Sequence, residues 1–97
     1  MNEIRAAVNK TNRATLWRNQ VGFDAQNKVK YGLGVGSADL VGLIHKNGRL
    51  FAIEVKTPTG RISDEQKAWI AVINARGGYA AVARSVDEAL VHLGAAE

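Results

Sequence analysis

Residues 36–56 read GSADLVGLIHKNGRLFAIEVK, and this stretch decides the fold. It holds two apolar runs, Ala38–His45 and Arg49–Lys56, on either side of a polar segment that ends in Asn47-Gly48. Asn-Gly is the strongest short-range signal for a two-residue type I′ turn between antiparallel strands. The stretch therefore predicts a β-hairpin.

A two-residue turn would also set the pairing of the two strands. Pairing outward from it places Asp39 opposite Lys56 and Val41 opposite Glu54. Opposed residues point to the same side and side chains alternate along each strand, so Asp39, Glu54 and Lys56 share one face at the end away from the turn. Asp39 and Glu54 would be diagonal neighbours, about 7–8 Å apart at the backbone. A bulge, for which Gly42 is a candidate, would change this register.

The second strand of the hairpin is apolar on both faces. Phe51, Ile53 and Val55 share one face, and Leu50 and Ala52 share the other with the glutamate and the lysine. A strand that is apolar on both sides is covered on both, so these charges lie at the edge of a buried surface. They indicate a functional site or, alternatively, a cross-strand Asp–Lys ion pair with a solvated glutamate beside it.

Two carboxylates on one face suit a hard divalent ion such as Mg²⁺ or Mn²⁺, which keeps waters and binds substrate phosphate. Such an ion polarises a scissile phosphate and lowers the pKa of a bound water. A neighbouring lysine orients or deprotonates that water and offsets charge on the phosphate oxygens. Asp39, Glu54 and Lys56 are therefore candidate catalytic residues for phosphodiester hydrolysis.

The flanking segments complete an α/β pattern in one domain over residues 1–97. Asn2 is a candidate cap for a first helix that runs to roughly Thr11, and a β-prone stretch over residues 15–21 follows. Ser63-Asp64-Glu65-Gln66 predicts a capping box that opens a helix ending at Gly77-Gly78, and a strand over 79–84 precedes a second box at Ser85. The predicted order is α-β-β-β-α-β-α, with a mixed sheet flanked by helices.

Composition excludes several classes of protein. A hydrophobic fraction of 46% with 23% charged residues is typical of a globular domain and not of a disordered chain. The chain has no cysteine, which excludes disulfides and thiolate zinc sites. No apolar run approaches the ~20 residues of a membrane span, and no signal peptide is evident, so we expect a cytoplasmic protein with no membrane association.

The net charge of +4 lies in the first third of the chain. Residues 1–36 hold six basic and two acidic residues, whereas residues 37–97 hold seven of each. This asymmetry favours contact with a phosphate backbone, although a solvated basic face would give the same pattern. The candidate DNA contacts are Arg5, Arg13, Arg18, Lys28, Lys30 and Arg61. Trp17 and Trp69 lie in apolar patterns, which favours core positions over base stacking.

The quoted residues resemble a known family. Gly36-Ser37-Ala38-Asp39 followed by Ile53-Glu54-Val55-Lys56 looks like the G-x-x-D…E-x-K signature of the VRR-NUC group of PD-(D/E)xK nucleases. Trp17-Arg18-Asn19 resembles the strand before that signature, and residues 60–69 resemble the segment that leads into the family's glutamine-bearing helix. The resemblance covers nearly the whole chain and implies a restriction-endonuclease-like core.

The resemblance also implies roles for single residues. Asp39, Glu54 and the Val55 carbonyl would hold the metal, and Lys56 would serve the attacking water. Gln66 would lie beside the site, as the family glutamine does. Glu3 matches an acid that many relatives carry on the first helix, although an acid favoured there by the helix dipole is the alternative.

The short chain resembles stand-alone members of the group from phages and bacteria, which implies a phage-encoded protein or a bacterial cytosolic one. Those members are similar to archaeal junction resolvases and act as homodimers on branched DNA. The resemblance implies a Mg²⁺- or Mn²⁺-dependent DNA endonuclease selective for branches or four-way Holliday junctions. A nuclease without structure preference and a non-catalytic basic DNA-binding module are the alternatives. Ile4 and Val8 of the first helix, or Trp17, are candidate dimer contacts, unless they close the monomer's own core.

Overall fold

A mixed four-stranded sheet with helices on both faces forms the body of the protein, which confirms the predicted α/β fold class. The computed structural model describes the backbone of residues 1–97 and the side chains of all of them except residues 29 and 31. The elements are α1 (Asn2–Lys10), β1 (Ala14–Arg18), β2 (Gly22–Asp24), β3 (Val29–Tyr31), β4 (Leu40–Ile44), β5 (Leu50–Val55), α2 (Asp64–Ala75), β6 (Tyr79–Ala83) and α3 (Val86–Ala96).

The strand order of the sheet is β1-β4-β5-β6. β4 pairs antiparallel with β1 and with β5, whereas β6 pairs parallel with β5. The connection from β5 to β6 is α2, as a parallel pair requires a crossover. β2 and β3 form a separate antiparallel ribbon that the sequence did not predict.

Helices cover both faces of the sheet, as the two-sided apolar pattern of β5 predicts. α1 and α3 pack on one face around fully buried side chains that include Leu16, Leu40, Phe51 and Leu93. On the other face, α2 packs its apolar side chains on the small residues Ala38, Ala52 and Ala80, which let the helix lie close to the sheet. The α2 contacts are Trp69, Ile70 and Ile73.

The β4–β5 turn differs from the prediction. Gly48 enters the left-handed region at φ 69°, but Asn47 does not, and a type I′ turn needs both. Instead, Ile44 and Arg49 close a four-residue loop, in which the Asn47 Oδ1 accepts from the Arg49 N–H at 2.9 Å and the Gly48 N–H donates to the Ile44 carbonyl at 2.8 Å. The His45 ring is anchored outside the loop, on the Asn12 carbonyl and the Thr15 hydroxyl.

The longer loop moves the strand register by two residues. Leu40 pairs with Ile53 and Val41 with Ala52, and continuing this register by one pair sets Asp39 opposite Glu54, not opposite Lys56. Because side chains alternate with a period of two, a two-residue change leaves every side chain on its predicted face. The predicted register was therefore wrong, but the prediction that the three charged residues share one face is unaffected.

Gly42 lies in a regular pair on both sides, with Leu16 and with Phe51, so the suggested bulge is absent from this strand. Strand β1 passes so near that a Cβ on residue 42 would lie 1.7 Å from the Thr15 carbonyl oxygen. The glycine therefore serves close strand approach.

Two further expectations were wrong. Asn2 is the first helical residue and makes no side-chain cap, because Met1 takes the N-cap position. Trp17 is 56% exposed and does not lie in the core, because α2 packs over β5 and β6 and leaves the same face of β1 open. By contrast, Ile4 and Val8 are buried in the monomer's core. Among the helices of the described chain, none is long and apolar enough to cross a membrane.

Candidate active site

Asp39 joins three strands at one end of the sheet. It directly precedes β4, and its backbone carbonyl accepts from the Asn19 N–H at 2.8 Å, beyond the end of β1. Its Oδ2 accepts from the Val55 N–H of β5 at 2.9 Å. The Asp39 carboxylate is therefore held by β5, the strand that carries Glu54. The two acids lie opposite each other.

Glu54 is the buried charged residue of the site, with 3% of its surface exposed. Its Oε1 accepts from the Gln66 Nε2 at 2.9 Å and lies 3.8 Å from the Lys56 Nζ. Burial, and after it the neighbouring Asp39, raise the pKa of the Glu54 carboxyl to about 7, while Lys56 offsets part of the rise. One lysine is thus too little positive charge for two close carboxylates.

The capping box at the start of α2 also orients Gln66 toward the site. As predicted, the Ser63 Oγ accepts from the Gln66 N–H at 3.1 Å, and the Gln66 Oε1 accepts from the Ser63 N–H at 2.9 Å. Because the amide oxygen is engaged by the cap, the amide NH₂ points to Glu54. The same four residues therefore start a helix and position a side chain of the site.

A cleft of about 410 Å³ opens above these groups, and its walls include Asn19, Val35, Asp39, Glu54 and Gln66. Gly36 lets the signature loop lie against the first turn of α2. It has a φ of 86°, and a Cβ at this position would lie 2.6 Å from the Glu65 carbonyl oxygen. The glycine of the G-x-x-D pattern thus sets the width of the cleft.

Comparison with known families identifies this arrangement. The VRR-NUC domain matches residues 2–87 of the 97 in the chain. The chain belongs to the VRR-NUC family. It is accordingly a member of a nuclease family, and its mixed sheet with flanking helices is consistent with the VRR-NUC fold. A search of curated proteins found no match.

The residues that resemble the VRR-NUC signature lie close together in the structure. Asp39, Glu54 and Gln66 line one cleft, and Lys56 approaches Glu54 from its side. Lys56 lines a second cavity, of about 300 Å³, together with Glu3. Glu3 therefore lies in the neighbourhood of the lysine but is not among the residues that line the cleft.

The six candidate DNA contacts divide into two groups. Arg18, Lys28, Lys30 and Arg61 are exposed, and Arg5 is partly exposed. Arg13 lies at the opposite end of β1 from Asp39, where its guanidinium pairs with the carboxylate of Glu97. Arg13 is also exposed, and DNA contact by any of the six stays a prediction.

Sequence reasoning missed two polar residues that shape the site. The Asn19 Nδ2 donates to the Ser37 Oγ at 2.7 Å and to the Ala38 carbonyl at 2.8 Å, which holds the signature loop on the end of β1. Arg84 donates to the carbonyls of Thr57 and Gly60, each at 2.7 Å, and fixes the loop after Lys56. Asn19 directly follows β1 and Arg84 directly follows β6. A polar residue at the end of a strand is the sequence signal that could have identified them.

The donor set fits a hard divalent cation. Both acids offer oxygen ligands, and the Val55 backbone lies next to Glu54 in sequence and donates its N–H to Asp39. The pKa of Glu54 is raised first by burial and then by the neighbouring Asp39, and a bound cation would favour the ionised form against both. In the part of the chain that the structure describes, no group of three His, Cys, Asp or Glu side chains comes together. A cation here would therefore need backbone carbonyl and water ligands, as Mg²⁺ accepts.

Proposed function

We propose that this VRR-NUC protein is a metal-dependent DNA endonuclease that hydrolyses phosphodiester bonds with Mg²⁺ or Mn²⁺. One observation carries the proposal: Asp39, Glu54 and Gln66 line one cleft, with Lys56 at 3.8 Å from the buried glutamate. A cross-strand ion pair between Asp39 and Lys56 would explain less, because Asp39 is opposite Glu54 and the lysine approaches that glutamate.

Each residue has a role in this mechanism. Asp39, Glu54 and the Val55 carbonyl would hold the metal, which when bound would supply Lewis acidity toward the phosphate and an activated water. Lys56 orients that water and offsets the charge that develops on the phosphate oxygens. Gln66 holds the Glu54 carboxylate in its rotamer through the bond to Oε1. Glu3, which lines the cavity beside Lys56, is the weaker member of the set.

The distribution of charge supports DNA as the substrate. The excess of +4 lies in residues 1–36, and Arg18, Lys28 and Lys30 of that segment are exposed. Phosphate contacts by such residues supply affinity without reading sequence. We therefore expect the enzyme to act on DNA in the host or phage-infected bacterial cytosol with little base specificity.

A homodimer that prefers branched or four-way-junction DNA is the finer part of the proposal. A two-fold dimer would present two equivalent sites to the related strands of a junction. Trp17 at 56% exposure and Leu43 at 44% share the sheet face that α2 leaves open, and their register makes them diagonal neighbours. Since Ile4 and Val8 are buried within the monomer, this open face is the surface that supports a second copy.

A cleavage assay tests these statements together. Supercoiled plasmid, linear duplex and a four-way junction are incubated with the protein in EDTA, Mg²⁺ or Mn²⁺, and sedimentation equilibrium gives the oligomeric state. Cleavage that needs metal supports the nuclease, and faster cutting of the junction by a dimer supports the finer proposal. Equal cutting of all substrates leaves a nuclease without structure preference. DNA binding with no cleavage under any metal condition would indicate the non-catalytic module instead.

A further inference from the structure

An exposed apolar surface adjoins the cleft on the side of the β2–β3 ribbon. We call it the ribbon surface; it is lined by Val21, Phe23, Lys30 and Val35, with three glycines between them. Phe23 is 56% exposed and Val35 is 82% exposed, so neither side chain contributes to a core. Large apolar side chains held together in solvent mark a binding surface more often than scattered ones do.

The ribbon surface is continuous with the cleft. Val21 and Val35 line both, and the cleft wall continues from them to Asp39 and Glu54. A molecule on the ribbon surface therefore lies next to whatever occupies the cleft. A folded protein bound there would stand over the mouth of the cleft, whereas an extended strand could pass from one to the other.

The chemistry of the surface matches an unpaired nucleotide. An exposed aromatic ring stacks on the face of a base, and an adjacent ammonium contacts the phosphate. Phe23 and Lys30 supply these two groups, and they are cross-strand partners in the ribbon. In a duplex the base faces are covered by their neighbours, so a ring reaches them only where nucleotides are unpaired.

We propose that the ribbon surface binds unpaired nucleotides of the DNA strand that enters the cleft, with Phe23 stacked on a base and Lys30 at its phosphate. This inference rests on the proposed function and, among branched substrates, favours those that carry unpaired nucleotides beside the cut over a fully paired four-way junction. Gly34 has open space where a side chain would lie, which leaves room for a base close to the backbone, whereas Gly32 lets the chain pack against the Gln20 carbonyl.

Binding without metal tests the surface separately from catalysis. In EDTA, fluorescence anisotropy gives the affinity for a duplex with a single-stranded tail and for a fully paired duplex, and 2-aminopurine in the tail reports stacking. Phe23→Ala should weaken binding of the tailed DNA about tenfold and abolish the 2-aminopurine change, with duplex affinity unaltered. Phe23→Tyr should retain both. Val91→Ala removes an equally solvent-facing apolar side chain on α3 and should behave as wild type.

Three outcomes would overturn the inference. The first is tailed-DNA affinity and 2-aminopurine response that are the same in Phe23→Ala and wild type, with circular dichroism showing both folded. The second is a loss of duplex and tailed binding in equal measure. The third is conversion of a wild-type dimer to a monomer by Phe23→Ala, which would make the surface a subunit interface. If the wild type cuts no DNA with Mn²⁺ but the stacking signal remains, the proposed function fails and the binding surface stands.

Discussion

The β4–β5 hairpin and the β2–β3 ribbon are both antiparallel pairs, but they differ in burial and in what holds their side chains. In the hairpin, both faces are covered by helices, and the two acids at its end have hydrogen-bond partners on other elements. In the ribbon, each strand has three residues, the pair stands apart from the main sheet, and Phe23 faces solvent.

Under the proposed function, this difference separates catalysis at the hairpin from DNA binding at the ribbon. A buried hairpin fixes the reacting groups and raises the strength of their electrostatic interactions, because water is excluded from around Glu54. An exposed ribbon gives no such rigidity, but its side chains can change without opening the core. We therefore expect hairpin substitutions to alter rate and ribbon substitutions to alter affinity.

Removal of a metal ligand should give the largest effect. Asp39→Asn or Glu54→Gln keeps side-chain shape but removes ligand charge, so cleavage in Mn²⁺ should fall by about 10³-fold or more while DNA binding in EDTA is retained. Single-turnover cleavage and anisotropy measure the two quantities. Asp87→Asn, an exposed acid on α3, is the control. Undiminished turnover in either variant would contradict the metal site.

Lys56→Ala should lower the single-turnover rate by about 10²–10³-fold with little change in DNA affinity. Its ammonium lies beside Glu54, where the proposed mechanism has it offset charge that develops during the reaction. Lys46→Ala removes an exposed ammonium from the loop at the far end of the hairpin and should leave the rate unchanged. A fall in affinity with a preserved rate would make Lys56 a binding residue and blur the contrast between hairpin and ribbon.

The raised pKa of Glu54 predicts a pH dependence of stability in the metal-free protein. With a folded pKa of about 7 against an ordinary value of 4.5, the native state binds the proton more tightly. The free energy of unfolding should therefore fall as the pH rises from below 4.5 through 7, by about 2–3 kcal/mol. Urea titrations in EDTA at pH 5 and pH 8 measure it.

Glu54→Gln should remove most of this pH dependence and be more stable than wild type at pH 8 without metal. The exposed Glu65→Gln is the comparison variant and should keep the wild-type slope. Addition of Mn²⁺ at pH 8 should raise the melting temperature of wild type but not of Glu54→Gln. A wild-type free energy of unfolding that rises between pH 5 and pH 8 in EDTA would show that protonation of Glu54 does not stabilise the folded protein.

The two serine caps offer a matched pair for the role of Gln66. Ser63→Ala and Ser85→Ala should each cost about 1 kcal/mol of stability, because both hydroxyls accept a helix N–H. Only Ser63→Ala should also slow cleavage, by roughly tenfold, since the Ser85 cap holds no side chain of the site. Ser63→Thr, which caps as well, should restore the rate. Equal rates in both alanine variants would reduce Ser63 to a helix cap.

Charge removal on the ribbon should give the smallest effect. Lys28→Gln with Lys30→Gln should weaken DNA binding at low salt and flatten the plot of log affinity against log salt, by roughly one per lost phosphate contact. The cleavage rate at saturating DNA should not change. Arg13→Gln, whose guanidinium is already paired with Glu97, should leave the slope as it is. A matching loss in rate would place the ribbon in the reaction.

The sequence predicted the face of the site better than its register. The Asn47-Gly48 pair predicts a two-residue turn, whereas the structure has a four-residue loop that includes His45, whose ring contacts Asn12 and Thr15, and no local pattern encodes these distant contacts. The error of two residues did not disturb the common face of Asp39, Glu54 and Lys56. The capping box at Ser63 was predictable because the two hydrogen bonds that form it lie within four consecutive residues.

The features that the sequence did not predict are of two kinds. Some strands are too short to give a pattern, and some side chains have an exposure or a partner that depends on residues distant in sequence. The ribbon strands are three residues long and are flanked by glycines, so they give too short a pattern to detect. Trp17 resembles a core residue by pattern, and its exposure follows from where α2 packs on the sheet. Arg13 was a candidate DNA contact, and its ion pair with Glu97 could not be predicted because the two residues are far apart in sequence.

The reciprocal bonds between Ser63 and Gln66 also make catalytic competence depend on the least protected part of a helix. First turns open by local fluctuation far more often than whole domains unfold. Each such opening of α2 would release the side-chain NH₂ of Gln66 from Glu54. Hydrogen exchange at the backbone N–H of Gln66 would then report the fraction of time for which the site is assembled. Activity should decline with warming before the sheet melts.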